Sequence, residues 1–125
     1  PALPLQKPWV SPEIVDEVLR IGREEFPREA CGVVLPDLKV RQLPNVTPTS
    51  PLDSFVIDTG DLVDAISQYL DESGADPTEL SREHILVWHT HPSGQVGPSR
   101  GDIENKLEGM QYVVVTMPDG EATTF

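Results

Sequence analysis

His84-Ile85-Leu86-Val87-Trp88-His89-Thr90-His91 is apolar on both of its faces until its last three residues. Side chains of an extended strand alternate, so Ile85, Val87, His89 and His91 share one side while Leu86, Trp88 and Thr90 share the other. Two apolar faces mark an interior strand. Its imidazoles then stand at the C-terminal tip, where a cleft forms between a sheet and the loop that follows. That loop, Pro92-Ser93-Gly94-Gln95-Val96-Gly97-Pro98, is preshaped by proline and glycine, so it can fold Asp102 back toward the histidines. Two neutral imidazoles and a carboxylate suit zinc. Three protein ligands leave a position for water, which is the arrangement of a catalytic ion rather than a structural one. A blander reading competes, because Ser99-Arg100-Gly101-Asp102 is also a capping box at the start of a helix. Capping accounts for the serine and the aspartate and leaves the histidines unexplained.

Outward from this strand, helices alternate with short strands. Ser11-Pro12 starts a helix whose Ile14, Val18, Ile21 and Phe26 form an apolar stripe, and Pro27 stops it. Cys31 to Leu35 reads as a buried strand, and Pro36-Asp37 turns it into a second strand from Lys39 to Leu43. Pro44 to Leu52 is a proline-rich loop, and Phe55 to Ile57 is expected to be a short strand. Asp58 or Thr59 caps a helix with Leu62, Ile66, Tyr69 and Leu70 on its apolar face, ended by Gly74. Asp76-Pro77 begins a short helical turn before the strand His84 to His91. Past the histidine loop, Ile103, Leu107 and Met110 recur at helical spacing and predict a last helix. Gln111 to Thr116 is a β-branched strand, and Asp119-Gly120 turns into a final strand ending at Phe125. The alternation predicts an α/β sheet with helices packed against it.

Composition narrows the function classes. A chain of 125 residues fits one domain with a real core, so residues 1–125 are expected to form a single unit. No apolar run approaches the roughly 20 residues of a membrane helix. Pro1 to Trp9 lacks the layout of a signal peptide, and a membrane is not an expected partner. The net charge of -12 opposes contact with phosphate backbones, so nucleic acid is not expected either. Cys31, the single cysteine, excludes an internal disulfide and a four-cysteine zinc knot and fits a reducing, cytoplasmic compartment. As a nucleophile Cys31 is a poor candidate, because an apolar strand interior raises a thiol pKa. His84 reads as a surface or satisfied core histidine, and Trp88 as core.

His89, His91, Pro92, Ser99 and Asp102, in this spacing, resemble the motif of the JAMM metallopeptidases, also called JAB or MPN-plus domains. Glu29-Ala30-Cys31-Gly32 is similar to the Glu-x-Cys-Gly sequence that prokaryotic members often carry near the end of the first helix, just before a buried strand. The likeness is specific in these two segments and general in element order elsewhere. It implies a mixed, curved sheet with helices on both sides, the JAB/MPN architecture, akin to that of cytidine deaminases. It also implies one Zn2+ per chain on His89, His91 and Asp102, with water as fourth ligand.

The activity implied is that of a zinc-dependent peptidase or isopeptidase, cutting an amide with a metal-activated water. Glu29 would be the base and acid, raised in pKa by burial at the cleft, with Glu24 and Glu25 as its competitors. Ser99 would donate its hydroxyl to the carbonyl oxygen as charge develops. Two other classes stand beside this one. A silent assembly module with a structural zinc would usually lack the ligands, all of which are present. A DNA-repair-associated branch often carries asparagine between its histidines, where this chain has Thr90. The resemblance offers as substrates a ubiquitin-like or sulfur-carrier tail or a cell-wall peptide, and as partners phage tail proteins. The short form, the Pro44 to Leu52 loop and the helix from Asp61 to Leu70 resemble the prokaryotic and phage-tail type, in a bacterial or phage-infected cytoplasm or a virion tail.

Overall fold

The computed structural model describes residues 10–125, and the strand carrying the histidines is the central one of a five-stranded sheet ordered β2-β1-β3-β4-β5. The strands are β1 (Cys31–Val34), β2 (Val40–Leu43), β3 (Leu86–His91), β4 (Gln111–Thr116) and β5 (Glu121–Thr124), with helices α1 (Pro12–Glu25), α2 (Thr59–Ser73) and α3 (Arg100–Glu104). β3 runs antiparallel to β1 and parallel to β4, so the sheet is mixed. A parallel neighbour requires a crossover, which the histidine loop and α3 supply. The reading of Pro1 to Trp9 lies outside the described residues. No helix among the described residues is long and apolar enough to cross a membrane.

Period-two alternation in β3 separates two cores, one on each side of the sheet. Leu86 and Trp88 pack with Val18 and Ile21 of α1, and Ile85 and Val87 pack with Ala65 and Tyr69 of α2. Helices therefore cover both faces, as expected. Ser11 caps α1 by accepting from the Ile14 amide, and Gly74 closes α2 in the left-handed region at φ 69°, where it gives its amide to the Leu70 carbonyl.

Phe26 lies past the end of α1 and is exposed rather than on its apolar stripe, and three further local expectations fail. Residues 55–57 form no strand: among the described residues, the backbone hydrogen bond there runs from the Val46 amide to the Val56 carbonyl, and the Asn45 side chain takes the Val56 amide in place of a strand partner. The strand expected from His84 begins at Leu86, because Arg82–His84 is a 3-10 turn in which the buried His84 Nδ1 accepts from the Ser81 amide. The last helix spans only Arg100–Glu104. Asn105 bonds back to the Gly101 carbonyl, and Gly109 turns the chain at φ 88°, so Ile103 and Leu107 stay half exposed although their spacing is helical.

Gly32 explains the glycine of the Glu-Ala-Cys-Gly segment. β2 and β3 flank it, and a Cβ at this position would overlap the Arg41 carbonyl oxygen and lie 2.6 Å from the Trp88 ring. Neither the backbone nor a fully buried indole can withdraw. Gly32→Ala is expected to destabilise the protein by about 3 kcal/mol or more, or to prevent folding, as read by circular dichroism melts. An unchanged melting temperature would contradict this packing.

Candidate metal centre

β3 delivers both imidazoles to the α2 side of the sheet. In register, His89 lies between Cys31 and Val114 and His91 beside Thr116, so both rings are held in the sheet interior and are buried. The Phe55 ring stacks on His89 at 4.3 Å between centroids. The unpaired segment that failed as a strand thus serves as a lid on the ring.

The geometry of the capping box and a cluster of the three expected ligand atoms, competing readings in the sequence, coexist here. Ser99 Oγ accepts from the Asp102 amide at 3.1 Å, and Asp102 Oδ2 accepts from the Ser99 amide at 2.9 Å. The same Oδ2 lies 3.0 Å from His89 Nε2 and 3.1 Å from His91 Nε2, and the two Nε2 atoms are 3.3 Å apart. A triangle of this size is the face of a tetrahedron: ligand atoms at roughly 2.0–2.1 Å from one ion stand about 3.3 Å apart.

Proton accounting supports a cation at this point. His91 Nδ1 lies 3.2 Å from the Gln95 carbonyl, which can only accept, so Nδ1 carries the hydrogen. In the neutral ring Nε2 is then a bare lone pair, facing a carboxylate oxygen and a second imidazole. Either a proton or a metal must sit among them. Without metal the surroundings of His91 favour the proton: burial works to lower its pKa, but the Asp102 hydrogen bond and the charges of Glu29 and Asp102 outweigh it, and the net shift is upward. His89, wholly buried, is pushed down. Burial would raise Asp102, yet the two histidines and the Ser99 amide hold it well below the usual carboxylate range.

Glu29 is the fourth party. It sits beyond the end of α1, in the extended link to β1, rather than in the helix. Its amide gives to the Pro51 carbonyl at 2.7 Å, and its carbonyl accepts from Asn45 Nδ2 at 3.1 Å. Its side chain offers an oxygen within 4.8 Å of the histidine nitrogens, and this buried Glu29, His89, His91 group can hold a metal. Oε1 is buried with no hydrogen-bond partner, and burial first, then Asp102 and Asp53, pushes the carboxyl up to about 7 against the opposing charge of His91. Its competitors point elsewhere: Glu24 pairs with Arg20 on the surface, and Glu25 is half exposed. Cys31 is likewise out of play, its thiol pushed up to about 12 by burial.

Three contributors were not singled out from sequence. Asn45 satisfies all its polar valences, giving to the Glu29 and Ser54 carbonyls and accepting from the Thr47 and Val56 amides, so it ties the Glu29 link to the Phe55 segment. An asparagine amid prolines and threonines was its only signal. Phe55 carried one too, as the sole aromatic between the loop and the helix cap. Gln95 acts through its main chain, where no side-chain signal exists.

The family model for prokaryotic homologs of the JAB domain matches residues 11–125. The chain belongs to this family. No curated protein matches it. The JAB family includes hydrolases, and the mixed sheet with helices on both sides is consistent with the JAB fold.

Two measurements probe this JAB centre. Asp102→Asn keeps the side-chain oxygen that caps α3 but removes the charge, so metal retention is expected to be lost while stability falls by only about 1 kcal/mol. Metal content by mass spectrometry with a thermal melt would show it, and a variant that keeps its metal would contradict the assignment. The second concerns pH in the metal-free protein. A Glu29 pKa raised from 4.5 to about 7 on folding gives stability that is complete below about 4.5 and is lost as pH rises through about 7. Glu29→Gln is expected to flatten that loss relative to wild type in melts taken from pH 4 to 8.

Proposed function

We propose that this JAB domain is a zinc-dependent peptidase or isopeptidase. The observation that carries the reading is the juxtaposition of a three-atom donor triangle, from His89, His91 and Asp102, with the unpartnered buried carboxyl of Glu29. The donor set fits the ion, since two imidazole nitrogens and one carboxylate oxygen leave a coordination position open. When bound, zinc supplies Lewis acidity, polarising a carbonyl and lowering the pKa of water toward about 7.

The chain's own groups supply the proton traffic. Glu29 takes a proton from the attacking water on Oε1 and passes it to the departing amine nitrogen, tasks suited to a buried carboxyl whose burial favours the neutral form while a bound cation would favour the ionised one. Ser99 Oγ already accepts from the Asp102 amide, so its hydroxyl hydrogen is free to be given to the carbonyl oxygen as that oxygen gains charge. The Gln95 carbonyl fixes the His91 tautomer, and Phe55 shields His89 from water.

The substrate is a peptide or protein amide, and the prokaryotic family supports a bacterial or phage-infected cell as the setting. Within that setting, phage tail assembly or cell-wall processing is the narrower proposal, and processing of a ubiquitin-like or sulfur-carrier tail the alternative. The test is zinc stoichiometry together with Glu29→Gln assayed on peptide and isopeptide substrates. One zinc per chain is expected in both proteins, with hydrolysis at least about 100-fold slower in the variant. Zinc retained by a wild type that cuts no substrate would favour a structural module instead.

A further inference from the structure

Beside the metal centre lies a cleft of about 410 Å³, a size typical of small-ligand sites at ~300–1,000 Å³. Ser99 and Asp102 stand in its lining, so it is continuous with the reacting groups. Val87, on the same face of β3 as the two histidines, also lines it, with Leu62, Met110, Tyr112 and Phe125. None of these apolar groups has a part in holding the ion or moving protons. Among these five, only Tyr112 carries a polar side-chain atom, a hydroxyl whose oxygen accepts from the Leu107 amide at 2.8 Å.

The rim adds a second observation. Leu107, which also lines the cleft, is 51% exposed, and Ile103 nearby is 52% exposed. Helical spacing would carry Leu107 into a longer helix, yet α3 stops at Glu104, one residue past Ile103, and leaves Leu107 at the edge of the cavity. Apolar side chains left in water next to an apolar cavity mark a surface that a ligand covers. Charge then selects the ligand. Among the described residues, the carboxylates lining the cleft are Asp53 and Asp102, and no lysine or arginine lines it. Away from an ion on Asp102, an anionic group would find no partner among these residues, on a chain whose net charge is -12.

We propose that this cleft is a subsite for one large apolar side chain, aromatic or leucine-like, of a neutral or basic peptide, carried next to the amide bond that is presented to Ser99. The proposal rests on the hydrolytic reading above and narrows its substrate class. A tail ending in glycines would leave the cleft unfilled and forgo the burial of apolar surface, whereas a bulky residue would anchor the bond beside Glu29 and Ser99.

A binding measurement tests it without any turnover. The full chain as purified, labelled with 15N, is titrated with N-acetyl-L-phenylalaninamide, N-acetylglycinamide and the anionic N-acetyl-4-carboxy-L-phenylalaninamide, whose charge is carried on the side chain rather than at the scissile-bond end, followed by amide shifts. The phenylalanine amide is expected to bind at least about tenfold more tightly than the glycine amide, with shifts centred on Leu62, Met110 and Tyr112. The anion is expected to bind more weakly than the neutral amide. Leu107→Ala, at the rim where folding does not depend on it, is expected to weaken the phenylalanine amide several-fold. Equal affinity for the two amides, or shifts centred away from the cleft, would overturn the subsite, and an anion that binds as well as the amide would overturn its charge preference. Absent hydrolysis in the Glu29 experiment bears on catalysis alone, while an indifferent titration bears on the cleft alone.

Discussion

The pairing of β1 with β3, Cys31 opposite His89, is the constraint from which the centre follows. Register places Glu29 two positions before Cys31, and hence at the tip of the sheet where the imidazoles emerge. The pairing is closed by a reciprocal contact between Ala30 and Thr90: the Thr90 amide gives to the Ala30 carbonyl, and the Ala30 amide gives to Thr90 Oγ1, each at 3.0 Å. Thr90 is therefore more than a spacer between two histidines. A slip of one residue would turn the histidines to the α1 side and leave Glu29 facing an apolar layer. Gly32 permits the register, because the Trp88 ring lies where any larger residue would place its Cβ.

Electrostatics at the centre is arranged around one oxygen. Asp102 Oδ2 collects the Ser99 amide and two imidazole nitrogens, which keeps a half-buried carboxylate ionised. Glu29, a few ångströms away, has no hydrogen-bond partner for Oε1 and is biased toward its neutral form. Two carboxyl groups with opposed tendencies in one pocket suit the proposed division of work, in which one holds a cation and the other exchanges a proton.

Much of this was legible in the chain. The alternation in β3 gave the correct face for each of its residues, Ser11-Pro12 gave the start of α1, and the spacing of His89, His91 and Asp102 brought together atoms that the fold does place within 3.3 Å. What failed did so for physical reasons. Residues 55–57 have strand-like composition, but a strand is a property of a pair, and Asn45 took the partner's place. Ile103, Leu107 and Met110 have helical spacing, but the backbone between them turns at Asn105 and Gly109 before a helix can bury them. Only Met110 reaches the core. Gln95 was illegible in principle, since it contributes a carbonyl group that every residue possesses.

The shared role of Asp102 has a consequence for motion. α3 has five residues, too few to hold a helix by their own hydrogen bonds, and none of them is buried. Its order depends on the Ser99 cap and on whatever Asp102 grips. An ion on Oδ2 would therefore stiffen the wall that runs on from Ser99, and its removal would release that wall to local opening, the behaviour that amide hydrogen exchange detects. Linkage makes the coupling mutual: a peptide that orders the wall tightens the ion, and the ion prepares the wall for the peptide.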